Sequence, residues 1–123
     1  MQEIKEYLFS LLSTVGKTVT AFPQKGAGFP CLVLTMRSQK TALQLAGRDR
    51  LQEISFTVTV CDQAENSQRK DGLQQSVQTL LAQHGFSLTN CAESREGRLF
   101  ASALQYTCFV DEERKMIYGE VSL

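Results

Sequence analysis

From Glu53 to Val60, within the stretch LQEISFTVTVCDQ at residues 51–63, polar and apolar side chains alternate without a break. Successive side chains of a strand point to opposite faces, so Ile54, Phe56, Val58 and Val60 share one face and Glu53, Ser55, Thr57 and Thr59 the other. A slip of one residue in pairing would turn the whole apolar set to water. The stretch therefore predicts a half-buried strand in a sheet with one core face. Its second face is polar, yet small hydroxyls dominate it rather than long charged side chains.

The cover for the core face is sought in the periodic segments. Ile4, Tyr7, Leu8, Leu11, Leu12 and Val15 recur at helical spacing and predict an N-terminal helix. Gly16 is expected to stop it in the left-handed conformation. KTVTAF reads as a short strand and PQKGAGFP as a loop, with Pro30 holding Phe29 extended at the entry to the next strand. That strand, CLVLTM, is apolar nearly throughout and is expected to be covered on both sides. RSQKTALQLAGRDR, residues 37–50, reads as a long polar hairpin arm, with a short helix as the alternative.

After the alternating strand, DQAENSQRKDG breaks the pattern. A second helix is predicted from about Gln68 to His84, with Leu73, Val77, Leu80 and Leu81 on its apolar face. Gly72 is a flaw inside it, costing about 1 kcal/mol relative to Ala. Gly85 is the expected C-cap, and Phe86 opens a strand, FSLTNCAE. SREG is a turn, LFASALQYTCFV a long strand, DEERK a charged turn and MIYGEVSL a terminal strand. The expected fold is α+β. One domain over residues 1–123 carries a mostly antiparallel mixed sheet, with an N-terminal and a central helix packed on it.

The 123 residues suffice for a hydrophobic core without disulfide or metal staples. Thirteen Lys and Arg balance thirteen Asp and Glu, which argues against binding nucleic acid by bulk charge. The opening MQEIKEYLFSLLSTVG carries Glu3 and Glu6, has no cleavage site and is too short to span a membrane. A cytoplasmic protein is expected. Cys31, Cys61, Cys91 and Cys108 form no CxxC pair, and His84 is the one histidine, so reduced cysteines acting as small hydrophobes are expected, with no metal and no cofactor.

A search for catalytic groups ends without a constellation. His84 falls in the last turn of the second helix, where the helix dipole favours a cation. The pairs Glu112/Glu113 and Asp62/Glu65 lie in turns expected to be solvated. Ser38 and Ser94 lack a nucleophile elbow, and Tyr7, Tyr106 and Tyr118 read as core or interface aromatics. GAG within the loop matches no phosphate-binding pattern. The chain is expected to be no enzyme.

Two features point to protein contact instead. The second helix carries Gln74, Gln75, Gln78 and Gln83, an amide-rich face without charge. The hydroxyl face of the alternating strand and the arm with Arg37, Arg48 and Arg50 form the other candidate, because hydroxyls cost less to desolvate than long charged side chains. The element order carries a resemblance as well. A helix leads to a loop ending in GFP, then CLVLTM, an Arg-rich arm, ISFTVTV, a helix ending in GF, and LQYTCFVDEERKMIYG. Over nearly the whole chain this resembles the tail terminator, or tail completion, proteins of long-tailed phages and prophages.

The resemblance implies a structural subunit of virion assembly and head-tail joining. Such a subunit self-associates into a ring, typically of six, that caps the tail tube and joins it to the head-tail connector protein. It brings no catalytic residue, no membrane and no sequence-specific nucleic acid. The alternatives are another phage neck or connector protein, and a small cytoplasmic α+β interaction or regulatory module.

Overall fold

The computed structural model describes the backbone of residues 2–20, 29–45, 48–63, 68–111 and 116–118, and the side chains of 4–20, 29–37, 52–63 and 68–111. In chain order the elements are α1 (Gln2–Leu12), β1 (Thr18–Val19), β2 (Cys31–Leu45), β3 (Arg48–Gln63), α2 (Gln68–Gln83), β4 (Ser87–Glu96), β5 (Leu99–Asp111) and β6 (Met116–Tyr118). This is the expected α+β order. All six strands join one sheet in the order β1-β2-β3-β5-β4, with β6 also paired to β5. Among the described strands only β1–β2 is parallel; the other pairs are antiparallel.

Period-2 alternation in β3 sets the register. Ile54, Phe56, Val58 and Val60 are buried on the helix-covered face, together with Leu32 and Leu34 of β2 and Leu104, Tyr106 and Cys108 of β5. Both helices close over them: α1 contributes Ile4, Leu8 and Leu12, and α2 contributes Val77 and Leu81. At the centre, the Phe56 ring stacks on Tyr106 at 5.5 Å and meets Phe86 edge-on at 5.6 Å. Such pairs contribute about 0.5–1.5 kcal/mol each beyond area burial. The N-terminal stripe is narrower than its sequence predicts, because Tyr7 remains 42% exposed.

The two helix ends differ. α2 closes as expected on Gly85, whose φ of 82° is left-handed. The Gly85 amide donates to Ala82 and the Phe86 amide to Leu81, a Schellman pairing that places Phe86 in the core beside Leu81. Gly16, by contrast, is not left-handed. α1 ends earlier, where the Ser13 hydroxyl donates to the Phe9 carbonyl and the Thr14 hydroxyl to the Leu11 carbonyl. The Ser13 and Thr14 amides donate to the same two carbonyls and the Gly16 amide to Leu12, so the last carbonyls are satisfied without a left-handed residue. Gly16 is small for a different reason: a Cβ there would lie 3.3 Å from Leu73 and 3.7 Å from Leu32.

Residues 37–45 continue β2 and pair with β3 as far as Leu45 opposite Arg48, so the arm is a hairpin and not a helix. Beyond Gln52, which faces Val110, β3 has no pairing with β5. The hairpin therefore projects past the body of the sheet. Residues 21–28, with most of the PQKGAGFP loop, residues 112–115 of the DEERK turn and the end of MIYGEVSL lie outside the described residues. Among the described residues no helix is long and apolar enough to cross a membrane.

Candidate interaction surface

The second face of the sheet is not covered by either helix. A smaller cluster lies there, Cys31, Val33, Cys61 and Ala101 with Val19, Phe29 and Leu99, and no helical residue belongs to it. Beside this cluster runs the hydroxyl row. Ser55 and Thr107 lie 3.5 Å apart, oxygen to oxygen, across β3 and β5. Thr57 is 7% exposed, and its hydroxyl has no hydrogen-bond partner. With Arg37, Thr89 and Gln105 these residues line a hollow of about 160 Å³. Arg37 is exposed on β2 and makes no ion pair among the described residues.

Arg48 and Arg50 lie in the part of β3 that pairs only with β2, at the far end of the hairpin. Their side chains are outside the described residues. The arm and the hydroxyl face thus adjoin through Arg37, whereas the amide-rich helix face lies on the opposite side of the sheet. Gln75 is exposed there and Gln78 half-buried. Gln74 is not offered to a partner. Its carbonyl oxygen accepts from Lys70 at 3.4 Å, and its amide nitrogen lies 3.7 Å from Cys91 Sγ.

Lys70 is the residue that sequence reasoning missed. It is 3% exposed, and its ammonium donates to Ser102 Oγ at 2.6 Å while pairing with Asp71 at 2.9 Å and Glu93 at 3.6 Å. Its spacing to Leu73, Val77 and Leu81 puts it on the buried stripe of α2, and that spacing was the available signal. Asp62 corrects a second expectation. Instead of lying in a solvated turn, it is fully buried at the end of β3, where Arg69 grips both its oxygens at 2.6 and 2.5 Å. The same bonds raise the Arg69 pKa. Glu65, Glu112 and Glu113 lie outside the described residues. The Lys70 cleft, about 340 Å³, is lined also by Asp71, Glu93, Arg95 and Phe100. Its charges are paired internally, so it has the character of a structural network and not of a ligand cradle.

The thiols divide in two groups. Cys31, Cys61 and Cys108 are buried, and Cys31 stands directly opposite Cys61 across β2 and β3. Burial raises the Cys31 pKa and pushes Cys61 and Cys108 up to about 12, which holds them as neutral thiols. Cys91 departs from the expected small hydrophobe: it is exposed on β4. No cysteine lies in a disulfide. His84 turns Nδ1 to the Leu80 carbonyl at 2.9 Å. Among the described residues no three His, Cys, Asp or Glu side chains gather to hold a metal ion. No protein-family model matches the chain, and no curated protein matches it either.

Proposed function

We propose that the chain is a structural subunit of a phage or prophage tail, of the tail-terminator kind. Copies close into a ring of six that caps the tail tube and joins it to the head-tail connector. The observation that carries this reading is the hairpin of β2 and β3, which extends past β5 beside a low-charge sheet face that neither helix covers. A closed ring of one chain needs two different, complementary surfaces towards its neighbours, besides one towards the tube end, and the arm and the face lie outside the helix-packed core, where such contacts can be made. The element order, α1 through β6, is the one on which the resemblance rests. On this reading the subunit catalyses nothing, binds no cofactor and is held in the host cytoplasm until it enters the virion.

The test uses tail tubes of the phage or prophage that encodes the chain. Wild-type subunit should bind tube ends in negative-stain micrographs, with self-association weak or concentration-dependent in their absence. Replacing Arg48 and Arg50 together by Glu should abolish capping with the circular dichroism spectrum unchanged, since interface charges of this kind steer partners and fix register. Unchanged capping by the double variant removes the arm from the contact. Failure of the wild type to bind any tube end refutes the assignment.

A further inference from the structure

The sheet ends in two unpaired edges, and their directions are complementary. Among the described residues β4 pairs with β5 alone, and all ten of its side chains are exposed. At the other end, β1 covers β2 only at Leu32 and Val33. Among the described residues, the outer edge of β2 is therefore free from Leu34 to Leu45. An edge of this kind presents unpaired N–H and C=O groups as a template for another strand. β3 runs against β2, β5 against β3 and β4 against β5. The strands that bear the free edges thus point in opposite directions.

That opposition matters for copies placed side by side in nearly the same orientation, as neighbours in a ring are. β4 of one copy then meets β2 of the next antiparallel, the more stable ladder, and the helix layer stays on the same side of both sheets. The charges agree with this pairing. Residues 34–45 contain Arg37 and Lys40 and no acidic side chain, whereas β4 contains Glu96, and Glu93, which already pairs with Lys70. The cation of β4, Arg95, is already engaged: it stacks on Phe100 at 4.8 Å and donates to the Gly97 carbonyl at 3.0 Å. β4 has no proline, and its register shift is confined to Leu88/Asn90, which leaves Asn90–Glu96 as a regular strand.

We infer that β4 of one copy adds to the free edge of β2 in the next, so that a single sheet runs from subunit to subunit. The inference rests on the ring reading and names the contact that closes it. Cys91 on β4 is a native probe. Thr35→Cys, Met36→Cys and Arg37→Cys, introduced one at a time in the full chain, present a thiol on β2 at three successive positions. A disulfide forms only where Cα atoms come within about 7 Å.

Concentrated protein is oxidised with copper phenanthroline and resolved on a non-reducing gel. At least one variant should give a series of multimers ending at the ring size, lost when Cys91→Ser is added, while the unsubstituted chain stays monomeric. A disulfide dimer from the unsubstituted chain overturns the inference, because it reports β4 against β4. So does a yield from all three variants no higher than from Ser10→Cys on α1. Either result alongside normal tube capping removes the edge contact and leaves the ring standing. Loss of capping by the wild type strikes the ring reading instead, whatever the gel shows.

Discussion

Alkaline pH should destabilise this protein by an amount that can be worked from three buried groups. Burial pushes Cys61 and Cys108 from 9.0 up to about 12, and Tyr106 from 10.0 up to about 12 with a smaller contribution from Cys91. Each group is an acid whose folded pKa lies above its unfolded one. The stability it confers is therefore fully present below its unfolded pKa and is lost as pH rises towards the folded value. At about pH 10 an unfolded thiol has released its proton and a buried one has not, which removes slightly more than about 1 kcal/mol per cysteine. Tyr106 removes less than half of that at the same pH, because its unfolded form is only half ionised there. The three together reach about 3 kcal/mol, a large share of the 5–15 kcal/mol typical of a domain. A folded thiol pKa of only about 11 gives nearly the same number at that pH.

Urea unfolding followed by circular dichroism, with reductant present, measures this at about pH 7.5 and pH 10. Cys108→Ala isolates one group, since burial alone raises the Cys108 pKa. That variant should start less stable at neutral pH, having lost a buried sulfur. Its stability should then fall between the two pH values by about 1 kcal/mol less than that of the wild type. Parallel falls for the two proteins would refute the claim that Cys108 is held neutral by the fold.

Two further outcomes test local features. Gly72→Ala should stabilise α2 by about 0.5–1 kcal/mol, since a Cβ there meets nothing within 4 Å. Gly85→Ala should cost about 1–2 kcal/mol at its φ of 82°; chemical denaturation reads both, and equal effects would contradict the two backbone geometries. Iodoacetamide should label Cys91 in the native protein well before Cys31, Cys61 or Cys108, as mapped by peptide mass spectrometry. Comparable native labelling of any buried thiol would show that the β2–β3–β5 core is not closed.

Legibility in the sequence followed the strength of local signals. Strict alternation in β3 fixed which residues face the helices, because period 2 leaves one apolar set. Gly85 could be placed because the apolar stripe of α2 ends just before it and Phe86 restarts an apolar run. Gly16 was misread because a hydroxyl pair, Ser13 and Thr14, had already closed α1, and the glycine answers to the approach of Leu73 and Leu32. Lys70 could not be recognised as buried from composition, since its partners Ser102 and Glu93 are distant in sequence; Asp62 could not because Arg69, seven residues on, reaches it only across the β3–α2 connection. Gln74 was read as part of a free face for the same reason. Lys70 lies one turn away on the same helix, but Cys91 meets Gln74 only once α2 lies across β4. The hairpin was legible as an arm; its direction relative to the sheet edges was not, because that depends on the strand order.

That direction separates two kinds of contact within the proposed ring. If sheets join edge to edge around the ring, lateral contacts use β4 and the middle of β2, and the strands run roughly along the ring axis. The hairpin then points along that axis, towards whatever stacks on the ring. Residues 48–51 of β3 pair with β2 alone. At about 3.3 Å per residue they carry the arm about 13 Å past the end of the β3–β5 ladder. Arg48 and Arg50 thus belong to the axial contact, not the lateral one. Their replacement by Glu should abolish capping and leave the Cys91 cross-link to β2 intact. The half-buried hydroxyls of Ser55, Thr59 and Thr107 suit a contact surface, because a hydroxyl can rotate to donate or accept with whatever neighbour arrives. Thr57, buried without a partner, already carries a desolvation cost of about 1–3 kcal/mol. A contact that supplied its missing hydrogen bond would recover that cost, whereas a charged side chain in its place would have had to be desolvated anew.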